Sequence, residues 1–143
     1  MTAEDKKRDS YYRRKYFVTL DWYNRRFEEQ NGCCGICRRP QNLFTKRFAV
    51  DHCHLWSVIK IETCKVNGEW YACTSNNAPA HYLAEGGGKT KSQAIRSVRH
   101  DLRRKSVRGL LCPFCNRGLR FYADDPTRLA NAAEYLRRHQ NAN

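Results

Sequence analysis

Four polar residues in two short segments have side chains suited to metal binding and proton transfer. Asp51, His52 and His54 follow the apolar residues 48–50, and Asn116 follows directly on a cysteine. Carboxylate and amide oxygens are ligands that magnesium prefers, and a neutral imidazole can take a proton from water. A bound cation can stabilise the oxyanion that leaves a phosphodiester. These groups therefore favour metal-assisted phosphodiester hydrolysis, provided that the fold brings them together.

Two Cys-x-x-Cys pairs flank the segment that carries Asp51. Their members are Cys34, Cys37, Cys112 and Cys115. Two thiolate pairs at this spacing are the usual frame of a tetrahedral structural zinc site. Cys33 with Cys37 is an alternative first pair, although the two-residue spacing favours Cys34. A shared zinc ion would draw the pairs together, and it would bring Asn116 close to Asp51 and His52.

The charge of the chain predicts a polyanionic partner. Its 143 residues contain 27 Lys and Arg against 14 Asp and Glu, for a formal net charge of +13. Residues 91–105 alone carry six cations against the single carboxylate of Asp101. A solvated helix face would have charges of mixed sign. We therefore expect this segment to contact nucleic acid.

The sequence excludes several classes of protein. Residues 1–14 are polar and lack the apolar stretch of a secretory signal, and no apolar run is long enough to span a membrane. We therefore expect a cytoplasmic protein without a membrane partner, whose cysteines are reduced thiols or metal ligands. Cys64 and Cys73 flank a predicted hairpin, and they lie opposite each other only if its turn is Gly68-Glu69 rather than Asn67-Gly68.

The remaining elements are predicted from caps and periodicity. Residues 1–16 are a basic arm or a frayed helix. Within this segment, the candidate DNA contact is formed by Tyr11, Tyr12 and Tyr16 together with the cations at positions 13–15. Thr19 caps a helix to about Gln30, and Thr90 with Gln93 forms a capping box for a helix to about Arg104. Residues 76–88 are turn-rich. A last helix follows Asp125-Pro126, and its predicted core face contains Leu129, Ala132, Ala133 and Leu136.

Three segments of the sequence together resemble the recombination endonuclease VII family, which are bacteriophage HNH nucleases. The segments are residues 30–37, residues 50–54 and residues 107–119. The resemblance implies an α+β fold with a small zinc-supported ββα-metal (HNH) core, flanked by helices and interrupted by a β-hairpin plus helix insertion. Residues 17–55 and 107–143 would form the core, residues 1–16 the arm, and residues 56–106 the insertion.

The resemblance also implies a role for each site residue. Asp51 and Asn116 would hold a catalytic Mg²⁺ ion, for which Mn²⁺ is an alternative, and the four cysteines would hold structural Zn²⁺. His52 would be the general base, and His54 would lie at the scissile phosphate or assist the metal. Asp51 and His52 point to opposite faces of an ideal strand, so both can serve one site only if the strand twists or ends there.

The function implied by the resemblance is cleavage of branched DNA, Holliday junctions above all, in phage recombination or packaging. Resolving a junction needs two nicks on opposed strands, so we expect a homodimer in the cytoplasm of the infected host. Two alternatives remain from the sequence. One is a sequence-specific HNH nuclease of the homing or restriction type, and the other is a non-catalytic zinc-knuckle module that binds DNA.

Overall fold

The computed structural model describes residues 1–140 and contains α-helices and β-strands in two small sheets. The helices are α1 (Ala3–Tyr16), α2 (Leu20–Glu29), α3 (Lys91–Lys105), α4 (Pro113–Phe121) and α5 (Pro126–Gln140). The strands are β1 (Ala49–His52), β2 (Ile61–Val66), β3 (Glu69–Thr74), β4 (Glu85–Gly88) and β5 (Val107–Leu111). The predicted α+β class is confirmed. The last three residues of the predicted 107–143 segment lie outside the described residues.

The first sheet joins two segments that are far apart in the chain. β1 pairs antiparallel with β5, and α4 begins two residues after β5 ends. This β1–β5–α4 unit shares a hydrophobic core with α1 and α2. The buried members of that core are Tyr12, Val18, Leu20, Tyr23, Cys34, Phe48, Val50, Leu110, Leu111 and Cys112. The predicted cap of α2 is confirmed, because the Thr19 side chain accepts a hydrogen bond from the Trp22 backbone N–H.

The N-terminal segment is more ordered than an arm or a frayed helix. Thr2 and Asp5 form a capping box at the start of α1, and the helix continues to Tyr16. Tyr12 is buried and stacks on Tyr23 of α2 with the ring centroids 4.8 Å apart. Burial of this aromatic pair fixes α1 against the core, so one of the three tyrosines predicted to contact DNA is instead part of the protein interior.

The part of the chain that connects β1 to β5 contains the second sheet and α3, which together form a separate hydrophobic cluster. β2, β3 and β4 are antiparallel neighbours in that order, and α3 packs across β3 and β4. The cluster contains the buried residues Ala72, Tyr82, Ala94, Val98 and Leu102. The β2–β3 turn is Asn67-Gly68, since both residues have positive φ and Val66 pairs with Glu69. In this register Cys64 faces Tyr71, and both Cys64 and Cys73 are free.

β4 was not expected from the sequence, which predicts only a turn-rich segment over residues 76–88. Its glycines explain the difference. A Cβ atom added to Gly86 would lie 2.7 Å from the Cβ of Ser97, and one added to Gly88 would lie 2.6 Å from the Cβ of Gln93. Glycine is therefore required for the close approach of β4 to α3, although glycine is disfavoured in strands by intrinsic propensity.

α5 begins as predicted but does not bury its predicted core face. Asp125 caps it by accepting hydrogen bonds from the backbone N–H groups of Thr127 and Arg128 at 2.8 and 3.2 Å. None of its described residues is buried, and Leu136 is 57% exposed. Among residues 1–140, no helix combines the length and the apolar character that a membrane-spanning segment needs.

Candidate zinc centre and catalytic cleft

The four cysteines of the two Cys-x-x-Cys pairs converge in the structure. The sulfur atoms of Cys34, Cys37, Cys112 and Cys115 all lie within 4.8 Å of one another. The sulfurs of Cys37 and Cys112 are 3.9 Å apart. Tetrahedral zinc with thiolate bonds of normal length places its sulfurs about 3.8 Å apart. The cluster therefore fits a structural zinc ion, and it contains Cys34 rather than the alternative Cys33.

Backbone groups hold the two cysteine pairs in register. Cys112 is the N-cap of α4, and its sulfur accepts a hydrogen bond from the Cys115 N–H at 3.4 Å. The Cys112 N–H in turn donates to the Cys34 sulfur at 3.3 Å. The Gln30 carboxamide binds both backbone groups of Leu110 at 2.9 Å. Gln30 therefore joins the end of α2 to β5, a structural role that was not assigned from the sequence.

The thiols of the cluster differ in how readily they ionise. Burial raises the pKa of Cys112 and of Cys115. Burial also acts on Cys34, but backbone N–H donors, that of Cys112 first among them, outweigh it and lower the pKa of Cys34 to about 7. Because zinc binds the thiolate, the lowered pKa of Cys34 favours its metal-binding form.

A bulge in β1 explains how Asp51 and His52 can line one site, although neighbouring side chains of an ideal strand point to opposite faces. Asp51 pairs with Gly109, whereas His52 pairs with Val107, so the register shifts between them. A bulge re-aims the side chains next to it. Both residues consequently line one cleft of about 560 Å³, together with His54 and Asn116. All four predicted catalytic residues therefore lie around the same space.

The environment of His52 favours a neutral imidazole. Its ring lies edge-on to the ring of Tyr16 at 5.7 Å between centroids and 4.6 Å from that of His54. Burial lowers the pKa of His52 below its ordinary value, and the neighbouring His54 lowers it further. A neutral imidazole at physiological pH is the form that can accept a proton.

Arg108 is a site residue that the sequence analysis did not single out. Its guanidinium donates to both carboxylate oxygens of Asp51, at 2.7 and 3.0 Å, and to Asp124 at 3.3 Å. Asp51 is only 7% exposed, so this bidentate pair compensates a charge that is nearly removed from water. Desolvation alone would lower the pKa of Arg108, but Asp51 raises it well above its usual range.

The family of the chain follows from a comparison with family models. The model of recombination endonuclease VII matches residues 9–138. The chain belongs to this family. It is therefore a DNA-cleaving enzyme of a family that acts in recombination, and DNA is its partner. Comparisons with curated proteins and with solved structures find no match.

The cleft of this endonuclease VII family member contains oxygen donors that suit a hard divalent cation. Asp51 and Asn116 face it from β1 and α4, and Asp124 lines it as well. A carboxylate has about four acceptor positions, of which Arg108 uses two on Asp51. The donor set therefore fits Mg²⁺, which keeps several water ligands and needs few ligands from the protein.

Proposed function

We propose that the chain is a magnesium-dependent endonuclease of the HNH type, with residues 17–55 and 107–143 as its nuclease core and residues 56–106 as an inserted module. The observation that carries the proposal is the convergence of Asp51, His52, His54 and Asn116 on one cleft. The order of β1, β5 and α4 supports it, because two antiparallel strands followed by a helix form a ββα unit beside the cysteine cluster.

The proposed mechanism assigns one task to each side chain. Bound magnesium would supply a Lewis acid for the phosphate and for the leaving oxyanion. Asp51 and Asn116 offer oxygen ligands, and Arg108 orients the Asp51 carboxylate through two hydrogen bonds. Neutral His52 accepts the proton of the attacking water. His54, exposed beside His52, would lie at the scissile phosphate or assist the metal.

The proposed substrate is branched DNA, Holliday junctions above all, in phage recombination or packaging within the infected bacterial cytoplasm. Opposed nicks require two active sites, and we propose that a homodimer supplies them. The exposed apolar side chains of α5 support a second copy as the partner, because Tyr135 and Leu136 are 64% and 57% exposed.

A cleavage assay tests the enzyme and its substrate. Labelled four-way junction and matched linear duplex are incubated with the protein in magnesium, in manganese or in a chelator. We expect nicking in magnesium that is lost in the chelator and in His52→Ala. His81→Ala, which changes an exposed histidine outside the cleft, is the matched control and should cut normally.

Three outcomes would overturn parts of the proposal. Absence of magnesium-dependent nicking on every DNA would contradict the HNH mechanism and favour a zinc-knuckle module that only binds. Equal cutting of junction and linear duplex would contradict branch selectivity. Cutting of linear DNA at one sequence would favour the homing or restriction type of nuclease instead.

A further inference from the structure

A second groove, of about 610 Å³, lies beside the inserted helix α3. The ring of Phe17, between α1 and α2, and the half-buried Trp56 face it together with Ile95 of α3. Exposed Arg96 and Arg99 line its edge. The groove therefore combines an aromatic and apolar floor with a cationic rim.

The arginines of this rim carry charge that the protein itself does not neutralise. Within the described residues 1–140, no ion pair joins Arg96, Arg99 or Arg103 to a carboxylate, whereas Asp101 holds Arg104 and Lys105 at 3.1 and 2.6 Å. The Arg103 guanidinium lies 4.9 Å from the ring of Phe17 and 4.6 Å from that of Trp56. Cation–π contact with both rings holds it beside the floor, so the groove is complementary to an anion.

The groove and the catalytic cleft share lining residues with one small pocket that lies between them. Trp56 and Arg103 also line this pocket, together with Tyr16 and His52. His52 in turn lines the catalytic cleft. A strand whose phosphate lies at His52 could therefore extend past Arg103 into the groove without leaving the protein surface.

The opposite face of the insertion does not suit DNA. Glu62, Glu69 and Glu85 are exposed on β2, β3 and β4, and their pairing partners place them on the sheet face that α3 leaves open. Acidic side chains repel a polyanion. The charge of the insertion is thus divided between its two faces, and only the α3 side is complementary to DNA.

We propose that this groove binds an unpaired nucleotide of the branched substrate, with the base against the Arg103 guanidinium that Trp56 and Phe17 hold and its phosphates on Arg96 and Arg99. In duplex DNA the faces of the bases are stacked inside, so an aromatic floor has nothing to contact. An unpaired base exposes a face that stacks on aromatic side chains or on an arginine guanidinium, while cations follow its backbone. The inference rests on the proposed function and deepens it, since it gives the enzyme a means of preferring branched DNA that has an unpaired nucleotide. The arms of a four-way junction are fully paired, so in that substrate the nucleotide must be opened at the branch point.

The groove can be tested by measuring DNA binding under conditions that prevent cleavage. Fluorescence anisotropy in a chelator compares a labelled single strand, a matched duplex and the same duplex with an unpaired branch. We expect Trp56→Ala to weaken binding of the single strand and of the branch about tenfold and to leave the duplex nearly unchanged. Trp56→Phe should restore most of the affinity, since it keeps an aromatic ring.

A pair of arginine variants controls for folding, because Trp56 also packs against the second hydrophobic cluster. Arg99→Ala removes an exposed, unpaired cation of the rim, and Arg104→Ala removes a cation of the same helix that is paired with Asp101. We expect weaker binding of the unpaired DNA by Arg99→Ala alone. Equal effects of the two variants, or equal losses on single strand and duplex in Trp56→Ala, would overturn the proposal.

The same measurements separate this inference from the nuclease function. Retained selectivity for unpaired DNA in a protein that cuts no DNA would refute the nuclease proposal and leave the groove as assigned. Magnesium-dependent cutting by a protein whose binding of single strands is unchanged in Trp56→Ala and Arg99→Ala would refute the groove and leave the nuclease.

Discussion

The Asp51 carboxylate is nearly buried in the cleft, and its ion pair with Arg108 offsets the free-energy cost of removing it from water. The two residues are neighbours only because β1 and β5 pair antiparallel with a bulge between Asp51 and His52. The sequence could predict Asp51, His52 and Asn116, since their types and spacing are distinctive. It could not predict Arg108, because one arginine among 27 cations has no signal until the strand register is known.

Removing the Arg108 side chain tests its role. We expect Arg108→Ala to lower the free energy of unfolding by about 2 kcal/mol, less than for a fully buried pair, because the side chain of Arg108 is 37% exposed. Cleavage should fall as well, since Asp51 loses its orientation. Arg108→Lys keeps the charge without the bidentate geometry and should be intermediate. Urea unfolding and cleavage rates measure both effects.

Arg117→Ala is the control for this prediction, because Arg117 is an exposed cation of α4. It should change neither the unfolding midpoint nor the cleavage rate beyond a small loss of DNA affinity. If Arg108→Ala behaves like Arg117→Ala, Asp51 does not depend on the ion pair.

Cys33 and Cys34 are the two alternative ligands at the start of the zinc site, and the structure distinguishes them. Cys34 lies in the four-sulfur cluster, whereas the Cys33 sulfur is directed to the backbone oxygen of Asn31 at 3.3 Å. We expect Cys34→Ser to lose zinc and most of its helical signal, because structural zinc contributes on the order of 10 kcal/mol to folding. Cys33→Ser should bind zinc and fold normally. Zinc content and circular dichroism measure the two effects. Equal zinc loss in both variants would contradict the assignment of Cys34 as the zinc ligand.

The helices and β4 differ in how far local sequence determines them. Thr90 and Gln93 form the expected capping box of α3, so a local signal was sufficient there. β4 depends instead on a tertiary requirement, since Gly86 and Gly88 let the strand approach α3 closely. Glycine in a sequence normally indicates a turn, and only the packed helix shows that these glycines belong to a strand.

Two neighbouring glycines of β4 test this explanation. We expect Gly86→Ala to destabilise the protein by about 1–3 kcal/mol, because its new Cβ would lie 2.7 Å from the Cβ of Ser97. Gly87→Ala is the matched control, since its nearest neighbour would be the Trp70 backbone oxygen at an ordinary 3.6 Å. Thermal unfolding of the two variants gives the comparison. A similar loss of stability in both would show that the cost arises from strand propensity and not from the contact with α3.

The residues behind the net charge of +13 and the eight cysteines lie in different parts of the molecule and have different roles there. Four cysteines converge at the junction of α2, β5 and α4, beside the cleft. The unpaired arginines of α3 face a groove that shares lining residues with a small pocket next to that cleft, while the three glutamates of the second sheet face away. The net charge indicated a polyanion from the start, but its division between two faces follows only from the packing of α3 on the sheet.

The apolar face of α5 can be tested as a dimer interface, because the sequence predicts a core face there and the helix buries no described residue. Leu129, Ala132 and Ala133 are only partly buried and Leu136 is exposed, and this incomplete burial of an amphipathic helix is explained if a second copy covers its apolar face. We expect Leu136→Glu, at an apolar position, to convert a dimer into monomers that nick a junction but do not cut both strands together. Ala130→Glu introduces the same charge at an exposed position of α5 that, at 100° per residue, lies about 120° from Leu136 and about 140° from Tyr135, and this variant should remain dimeric. Light scattering after gel filtration measures the mass, and a wild-type monomer, or equal dimerisation of both variants, would contradict the role of α5.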